Sequence, residues 1–397
     1  MPASAGSPKV ASRHAPLGLG RRAAALPRRI ARPRRGREGI PRPRPVVSAD
    51  GPVAEETSVP GPEQLMQETI SFLKEDLTHL FDEQGIDASR YDEVVEFRDP
   101  ISSYNSIRGY LFNIQFLRRV FSPTFELHDI RQTGDFEITS RWTMTMEVAP
   151  TKGTILRQLW DPKLVFTGVS IYGLNPSNGK INKHLDLWDA IDQQEFFSVE
   201  GFAHVLRQVF NLTRAPDLET PEFKVLKKKQ AYEIREYPSF LVAETSMDVA
   251  KAPGAEGSVN PAGAGNNAFN KLAGYIFGKN EQEEKMAMTT PVLTTNTGRM
   301  QFVVGQKYKE AGMPTPSDKE VATKEAAGGL YIVSSFNGPA LEDQVEREFR
   351  NLKSIMYRDG LVAGEGWVLA RYNDPFTNPL LRRNEVLIPV AGGFSLW

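Results

Sequence analysis

The sequence predicts a two-domain α+β protein behind an arginine-rich leader. Three observations carry this. Segments of helical period give way, near residue 122, to segments of period two. A strand–helix–strand–strand order then occurs twice between residues 221 and 392. The formal charge of −1 over 397 residues is the sum of two opposed parts: residues 1–48 hold Lys9 and eleven arginines against Glu38 alone, a net +11, while the rest holds 36 basic and 48 acidic residues, a net −12.

One hydrophobic core rarely serves more than roughly 250 residues, so this length implies at least two domains. The chain has no cysteine. That excludes disulfides, Cys-ligated zinc, iron–sulfur clusters, thiol nucleophiles and thiolate-bound haem. No stretch approaches the roughly 18 apolar residues of a membrane span. The leader lacks the apolar core of a secretory signal. An Arg-rich, Ser-containing, nearly acid-free segment has the composition of an organelle transit peptide, expected over residues 1–48 with Val46–Ala49 as the processing region. The acidic remainder argues against nucleic-acid binding. Residues 49–63, punctuated by Pro and Gly, read as a linker.

The first domain is expected over residues 64–213. Leu65, Ile70, Leu73, Leu77 and Leu80 recur at three- and four-residue steps and predict a helix ending at Gly85. Ile107, Leu111, Ile114, Leu117 and Phe121 predict a second, with Pro123 just past it. Strands follow at Phe125–Ile130, Phe136–Val148, Lys163–Gly173 and Asn182–Asp189, separated by turn signals such as Thr133-Gly134-Asp135. Val199, Phe202, Val205 and Val209 mark a closing helix, capped by Ser198. Helices followed by an antiparallel meander mean α+β.

After a linker at residues 214–220, the second domain spans residues 221–392. Tyr232–Pro238 and Phe240–Thr245 predict strands. Lys251–Asn266 reads as a loose, mobile insert. A helix over Ala268–Phe277 and strands at Lys285–Val292 and Met300–Val304 complete one unit. The order returns as Leu330–Phe336, a helix with Leu341, Val345, Phe349, Leu352 and Met356 on one face, and strands at Trp367–Tyr372 and Asn384–Pro389. Two such units predict a distorted antiparallel β-barrel of two pseudo-repeated halves flanked by two helices.

Two resemblances add to this. Val95–Pro100, Trp142-Thr143-Met144, Phe166-Thr167-Gly168 and His184–Asp189 resemble an uncharacterised plant and algal domain of the nuclear-transport-factor and ketosteroid-isomerase shape, a curved-sheet cone with packed helices. Tyr232–Tyr237, Tyr275–Asn280, Lys285–Val292, Pro314–Asp318, Ser335–Gly338, Arg371–Pro375 and Arg382–Val386 resemble the SOUL haem-binding family. The pairing of cone, barrel and leader is similar to plastid members of that family. This implies a chloroplast location, with the mitochondrion second, and admits peripheral association with thylakoid or plastid lipid bodies.

The second resemblance implies reversible, non-covalent binding of haem or another tetrapyrrole by apolar contact around the first barrel helix. It implies Lys271, Leu272, Tyr275, Ile276, Lys285, Met286 and Met288 as binding residues, with Lys271, Lys279 and Lys285 facing propionates. All five histidines (14, 79, 128, 184 and 204) lie outside residues 220–397, so only Met or Tyr could reach iron there. Met286 and Met288 would share a face of a strand, where filling the core is the simpler role. Arg382–Glu385 reads as architectural, fixing the last strand through charge-assisted hydrogen bonds.

A tetrapyrrole carrier or buffer is the leading expectation, and binding is favoured over catalysis. Two alternatives stand beside it. In one, the cone isomerises or dehydrates a small apolar metabolite through Asp99, His184 and Asp186, which requires all three to face one cavity. In the other, both domains are ligand-free scaffolds. No P-loop, dinucleotide fingerprint or zinc-protease motif occurs.

Overall fold

The computed structural model describes residues 61–148, 163–191, 199–209, 216–247, 264–374, 377–392 and 394–397. The expected leader, most of the linker at 49–63 and residues 251–263 of the expected insert lie outside these.

The cone is α+β, as predicted. Helix α1 (Pro62–Asp76) starts with proline in its first turn, where a missing N–H costs nothing. Strands β1 (Tyr91–Arg98) and β2 (Ser103–Tyr104) precede α2 (Ile107–Val120), which the Ser106 hydroxyl caps by accepting from the Gly109 N–H at 3.2 Å. The long strands β3 (Phe121–Gly134), β4 (Glu137–Val148), β5 (Lys163–Leu174) and β6 (Ile181–Trp188) follow, then α3 (Val199–Val209). The sheet order is β2-β1-β6-β5-β4-β3, with β1 parallel to β6 and every other pairing antiparallel. Irregular registers in β3–β4 and β5–β6 supply the bend that curls it. Met66, Leu73 and Leu77 of the first helical segment and Tyr110 and Ile114 of α2 bury against Val95, Ile138, Tyr172 and Ile181 of the sheet.

The barrel begins with β7 (Lys224–Lys228), β8 (Glu233–Tyr237) and β9 (Phe240–Ser246). Helix α4 (Ala264–Ile276) and strands β10 (Val292–Thr295) and β11 (Arg299–Val303) complete the first unit. After α5 (Tyr308–Ala311), the second unit comprises β12 (Ala322–Ala326), β13 (Gly329–Asn337), α6 (Glu342–Arg358), β14 (Val362–Ala363), β15 (Val368–Arg371) and β16 (Arg383–Ala391). The path β12-β9-β11-β10-β15-β16-β13-β8-β7 reads alike from both ends about the β10–β15 pair. The leading strands are exchanged: β8 runs into β9 but pairs with β13, and β12 runs into β13 but pairs with β9. Only residues 238–239 separate β8 from β9, although the two lie far apart along the path. The sheet must therefore curl to bring its ends together. The two crossings touch at Gly328, where a β-carbon would sit 2.7 Å from Pro238 C and 2.8 Å from Ser239 N.

Strand alternation sorts the barrel into three layers. Ala268, Leu272, Tyr275 and Ile276 of α4 pack on Ala243, Met300 and Phe302 outside the first half. Val345, Leu352, Ile355 and Met356 of α6 pack on Ile234, Ile332, Val386 and Ile388 outside the second. Tyr237, Leu293, Val303, Ala370, Tyr372 and Leu387 point inward.

The segment Lys285–Thr290, expected as a strand, is irregular. Its backbone is held elsewhere: the Met286 N–H donates to Ile276 O at 2.8 Å and the Thr290 N–H to Glu219 O at 2.9 Å. Helix α4 starts at Ala264, inside the stretch expected to be a loose insert.

Strand β7 joins the domains. Buried Arg141 of β4 clamps Asp189 with both Nη groups and donates to Leu226 O at 3.0 Å. Thr143 donates to Val225 O at 2.5 Å, and Thr167, itself bonded to Asp189, accepts from the Lys228 N–H at 2.6 Å. Trp397 stacks on Arg131 and donates to Asp129, adding a second tie from the barrel chain to β3.

Candidate functional sites

The residues expected to bind a tetrapyrrole fall into two groups. Leu272, Tyr275, Ile276 and Met286 come together as core beneath α4, each at most 5% exposed. The Tyr275 hydroxyl is engaged with Pro314 O at 2.7 Å. Met288 is half-buried, Lys271 is ion-paired with Glu320, and Lys285 is exposed. These core residues hold the helix rather than present a wall.

The most exposed apolar side chain of this helix lies at its C-terminal end. Gly278, at φ +106°, stops α4. Asn280 fixes the returning loop: its amide donates to Tyr275 O at 3.2 Å and Glu284 O at 2.8 Å, and its Oδ1 accepts from the Glu284 N–H at 2.9 Å. Phe277 is left 57% exposed on this rigid base. Gly274 and Gly278 offer no side chain there. The Lys279 stem passes 3.0 Å from where a Gly274 β-carbon would sit, and the Lys285 stem 3.6 Å from that of Gly278. The exposed Phe277 ring thus stands beside two lysine stems that pack over the glycines; this step at the end of α4 combines apolar surface with cations and suits a macrocycle carrying carboxylates. Lys279 and Lys285 are expected to face propionates; Phe277 and Gly274 are not among the expected binding residues, which lie mostly on the buried face of the helix. The signal that marks them is Gly274 and Gly278 flanking an aromatic residue the core does not need.

The barrel interior holds a cavity of about 330 Å³ lined by Phe223, Tyr237, Phe240, Tyr331 and Tyr372, with Leu293, Val368, Ala370 and Leu387. Beside it lies a buried charge network. Arg235 meets Glu385 through Nη1–Oε2 at 2.9 Å and Nη2–Oε1 at 3.0 Å, and meets Glu233 through Nε at 2.7 Å. Arg383 Nη2 donates to Glu385 Oε1 at 2.6 Å, and the Tyr372 hydroxyl donates to Glu385 Oε2 at 2.7 Å. Burial would raise the Glu385 carboxyl, but the two guanidiniums outweigh it and hold it at about 2. Asn384 donates to Gly338 O at 2.9 Å. The Arg382–Glu385 run is therefore architectural, as read. Arg235, its buried partner, went unnoticed because a charged residue within a strand motif does not advertise burial.

In the cone, Asp99, His184 and Asp186 do line one cavity, of about 50 Å³. Trp142 Nε1 donates to Ser170 Oγ at 2.8 Å, Ser170 donates to Asp186 Oδ1 at 2.5 Å, and His184 Nε2 lies 2.9 Å from the same oxygen. His184 Nδ1 is buried without a hydrogen-bond partner. The rings of Phe97, Tyr110 and Tyr172 surround it with centroids 5.1, 5.2 and 4.3 Å away. Asp99 accepts from the Ile101 and Ser102 N–H groups at 2.7 and 2.5 Å and from the Ser102 hydroxyl at 2.6 Å, and burial pushes its carboxyl up to about 6. Among the described residues, no cluster of three or more His, Asp or Glu could hold a metal ion, and no helix is long and apolar enough to cross a membrane.

Fold and sites together define a barrel of two interleaved halves fused behind a cone. Residues 218–389 match the family model described as SOUL heme-binding protein. Residues 67–184 match an uncharacterized conserved protein family, DUF2358. The chain is 30% identical over 189 residues to Heme-binding protein 2 of Homo sapiens, spanning 43% of this chain and 86% of the human protein. It is 29% identical over 183 residues to Heme-binding protein 2 of Mus musculus, spanning 43% of this chain and 84% of the mouse protein. The chain belongs to the SOUL heme-binding protein family. Among solved structures, an NTF2-like protein of unknown function from Exiguobacterium sp. is 15% identical, covering 32% of this chain and 99% of that one at a TM-score of 0.23. An LEH-like epoxide hydrolase of M. tuberculosis is 13% identical, covering 37% and 96% at a TM-score of 0.25.

Proposed function

We propose that the barrel binds haem or another tetrapyrrole reversibly and non-covalently on the exposed end of α4, as a carrier or buffer. The observation that carries this is exposed Phe277 between Gly274 and Gly278, with Lys279 and Lys285 alongside. Phe277 would face the macrocycle and the two lysines its carboxylates, while Leu272, Tyr275, Ile276 and Met286 keep the step rigid. A bound tetrapyrrole would supply its own absorption and redox chemistry. Met286 is buried and the Tyr275 hydroxyl is engaged, so apolar contact is the main attraction. The arginine-rich leader supports delivery to a plastid, where tetrapyrroles are handled. Titrating the full chain with haem tests the binding: a saturable Soret shift at micromolar concentration is expected, weakened at least tenfold in Phe277→Asp. No shift in the unaltered protein would leave the scaffold reading in its place.

A second reading concerns the cone, and the shared cavity of Asp99, His184 and Asp186 favours it. His184, backed by Asp186, holds an unpaired Nδ1 buried among the rings of Phe97, Tyr110 and Tyr172, and in an opened cavity it would act as the general base. Isomerisation and dehydration next to a carbonyl both begin with proton removal at the adjacent carbon. The chamber of about 50 Å³ holds on the order of one or two non-hydrogen atoms at ~30 Å³ each, so it must open to admit a substrate. Deuterium exchange into cyclopentanone, followed by NMR, would then be accelerated by the full chain and not by His184→Ala. Equal rates in both would remove this reading.

A further inference from the structure

The barrel cavity lies across the sheet from the α4 step. On β11, Met300 and Phe302 face α4, while Gln301 and Val303 face inward. The space exists because Ala370, only 1% exposed, stands between Val368 and Tyr372 on the inward face of β15. Phe223 and Pro221, from the segment that leaves the cone, close one side.

Several polar groups of the wall are matched to one another, and the Glu325 carboxylate, on edge strand β12, is exposed to solvent. Lys324 is ion-paired with Glu244 at 2.7 Å, and Gln301 donates to Glu244 at 2.6 Å. The Tyr237 hydroxyl accepts from Arg235 at 3.1 Å, and that of Tyr372 donates to Glu385 at 2.7 Å. Burial pushes Tyr237 up to about 12, so it keeps its proton. The chamber thus offers neutral phenol hydroxyls on an aromatic and aliphatic wall. An anionic guest would lose its hydration there with no cation released to meet it, because Lys324 is held by Glu244.

Size restricts the guest further. About 330 Å³ holds on the order of ten non-hydrogen atoms at the ~30 Å³ a water molecule occupies in the liquid, several times too few for a tetrapyrrole. We propose that the barrel interior is a second ligand chamber, taking one uncharged apolar molecule of single- or fused-ring size whose hydroxyl donates to Tyr372 or whose carbonyl accepts from Tyr237 or Tyr331. This site is separate from the tetrapyrrole step and stands whether or not that step binds haem.

The probe is 2-naphthol, uncharged at neutral pH, with 2-naphthoate as its anionic counterpart. The full chain is expected to bind one equivalent of 2-naphthol by fluorescence, and 2-naphthoate at least tenfold more weakly. Ala326 lines the cavity from β12, an edge strand, so Ala326→Trp blocks the chamber without disturbing central strands. With its circular dichroism unchanged, this variant is expected to lose at least tenfold in 2-naphthol affinity and to keep its haem titration. Ala370→Phe, which fills the chamber from its centre, provides the same reading independently. The proposal is overturned by absence of 2-naphthol binding, by equal binding in both variants, by preference for the anion, or by competition between haem and 2-naphthol.

Discussion

Arg235 and Glu385 lie on strands from opposite halves of the barrel and meet as a bidentate ion pair, 2% and 0% exposed at their side chains. Strand β13 lies between them, hydrogen-bonded to β8 on one side and β16 on the other. The pair therefore ties the exchanged strand to the closing one. Removing one member of a buried pair strands the other's charge, at a cost of roughly 3–5 kcal/mol. Arg235→Met should lower stability by about that much in urea unfolding. Arg235→Lys should lose less, keeping the charge but not the two-pronged geometry. A loss below about 1 kcal/mol in Arg235→Met would mean that Arg383 alone satisfies Glu385.

Acid should attack the same network. Glu385 is held at about 2 in the folded state, below the ordinary 4.5. Its contribution is present above the unfolded value and is lost as pH falls through the folded one. Urea midpoints should decline between pH 4.5 and 2, and Glu385→Gln should flatten that decline while lowering the neutral-pH midpoint.

Asp99 has the opposite sign. Its folded value of about 6 lies above the ordinary 3.8, so the folded state retains the proton more readily. Stability from this group is present below about pH 3.8 and is lost as pH rises through 6. Asp99→Asn, which keeps an acceptor for the Ile101 and Ser102 N–H groups, should remove that loss. Its melting temperature at pH 7.5 relative to pH 4.5 should exceed the parent's; an unchanged difference would place the titration elsewhere.

The domain junction depends on Asp189, which holds both Arg141 and Thr167 against β7. Asp189→Asn should cost about 1.5–3 kcal/mol, the worth of hydrogen bonds to charged groups. It should also separate the melting of the domains, with Trp142 and Trp188 reporting the cone by fluorescence ahead of the barrel. Coincident transitions in the variant would show that other contacts dominate the junction.

At the barrel corner, Gly328→Ala would drive a methyl group into the Pro238–Ser239 backbone, which belongs to the opposite crossing. A loss of about 1–3 kcal/mol is expected, as for other overpacked sites. A stability unchanged from the parent would show that the corner can open.

Much of this fold is legible wherever one face is buried and the other is wet. Helices α2 and α6 and strands β4, β5 and β13 follow directly from their spacing. Strands β7 and β12 do not, because Lys224, Lys227, Lys228, Thr323 and Lys324 give edge strands too little apolar alternation to register. Lys285–Thr290 has the alternation of a strand, yet its N–H groups answer to Ile276 and Glu219, partners no local pattern reveals. The cone candidates come out of the sequence correctly grouped, since His184 and Asp186 are two apart on one strand. The α4 step does not, because its defining feature is two missing side chains beside an exposed ring.

The exchanged strands also set an order of events for the growing chain. Strand β8 emerges early in the domain, yet Ile234 finds its partner only when Ile332 has been made. Strand β9 likewise waits for β12. The first half cannot finish its own edges, so the nascent barrel carries open strand edges until the second half arrives. Its folding should accordingly be slow for its size, because pairings this remote must close long loops first. The arrival of β16, rather than any local helix, is then the moment at which the barrel becomes a barrel.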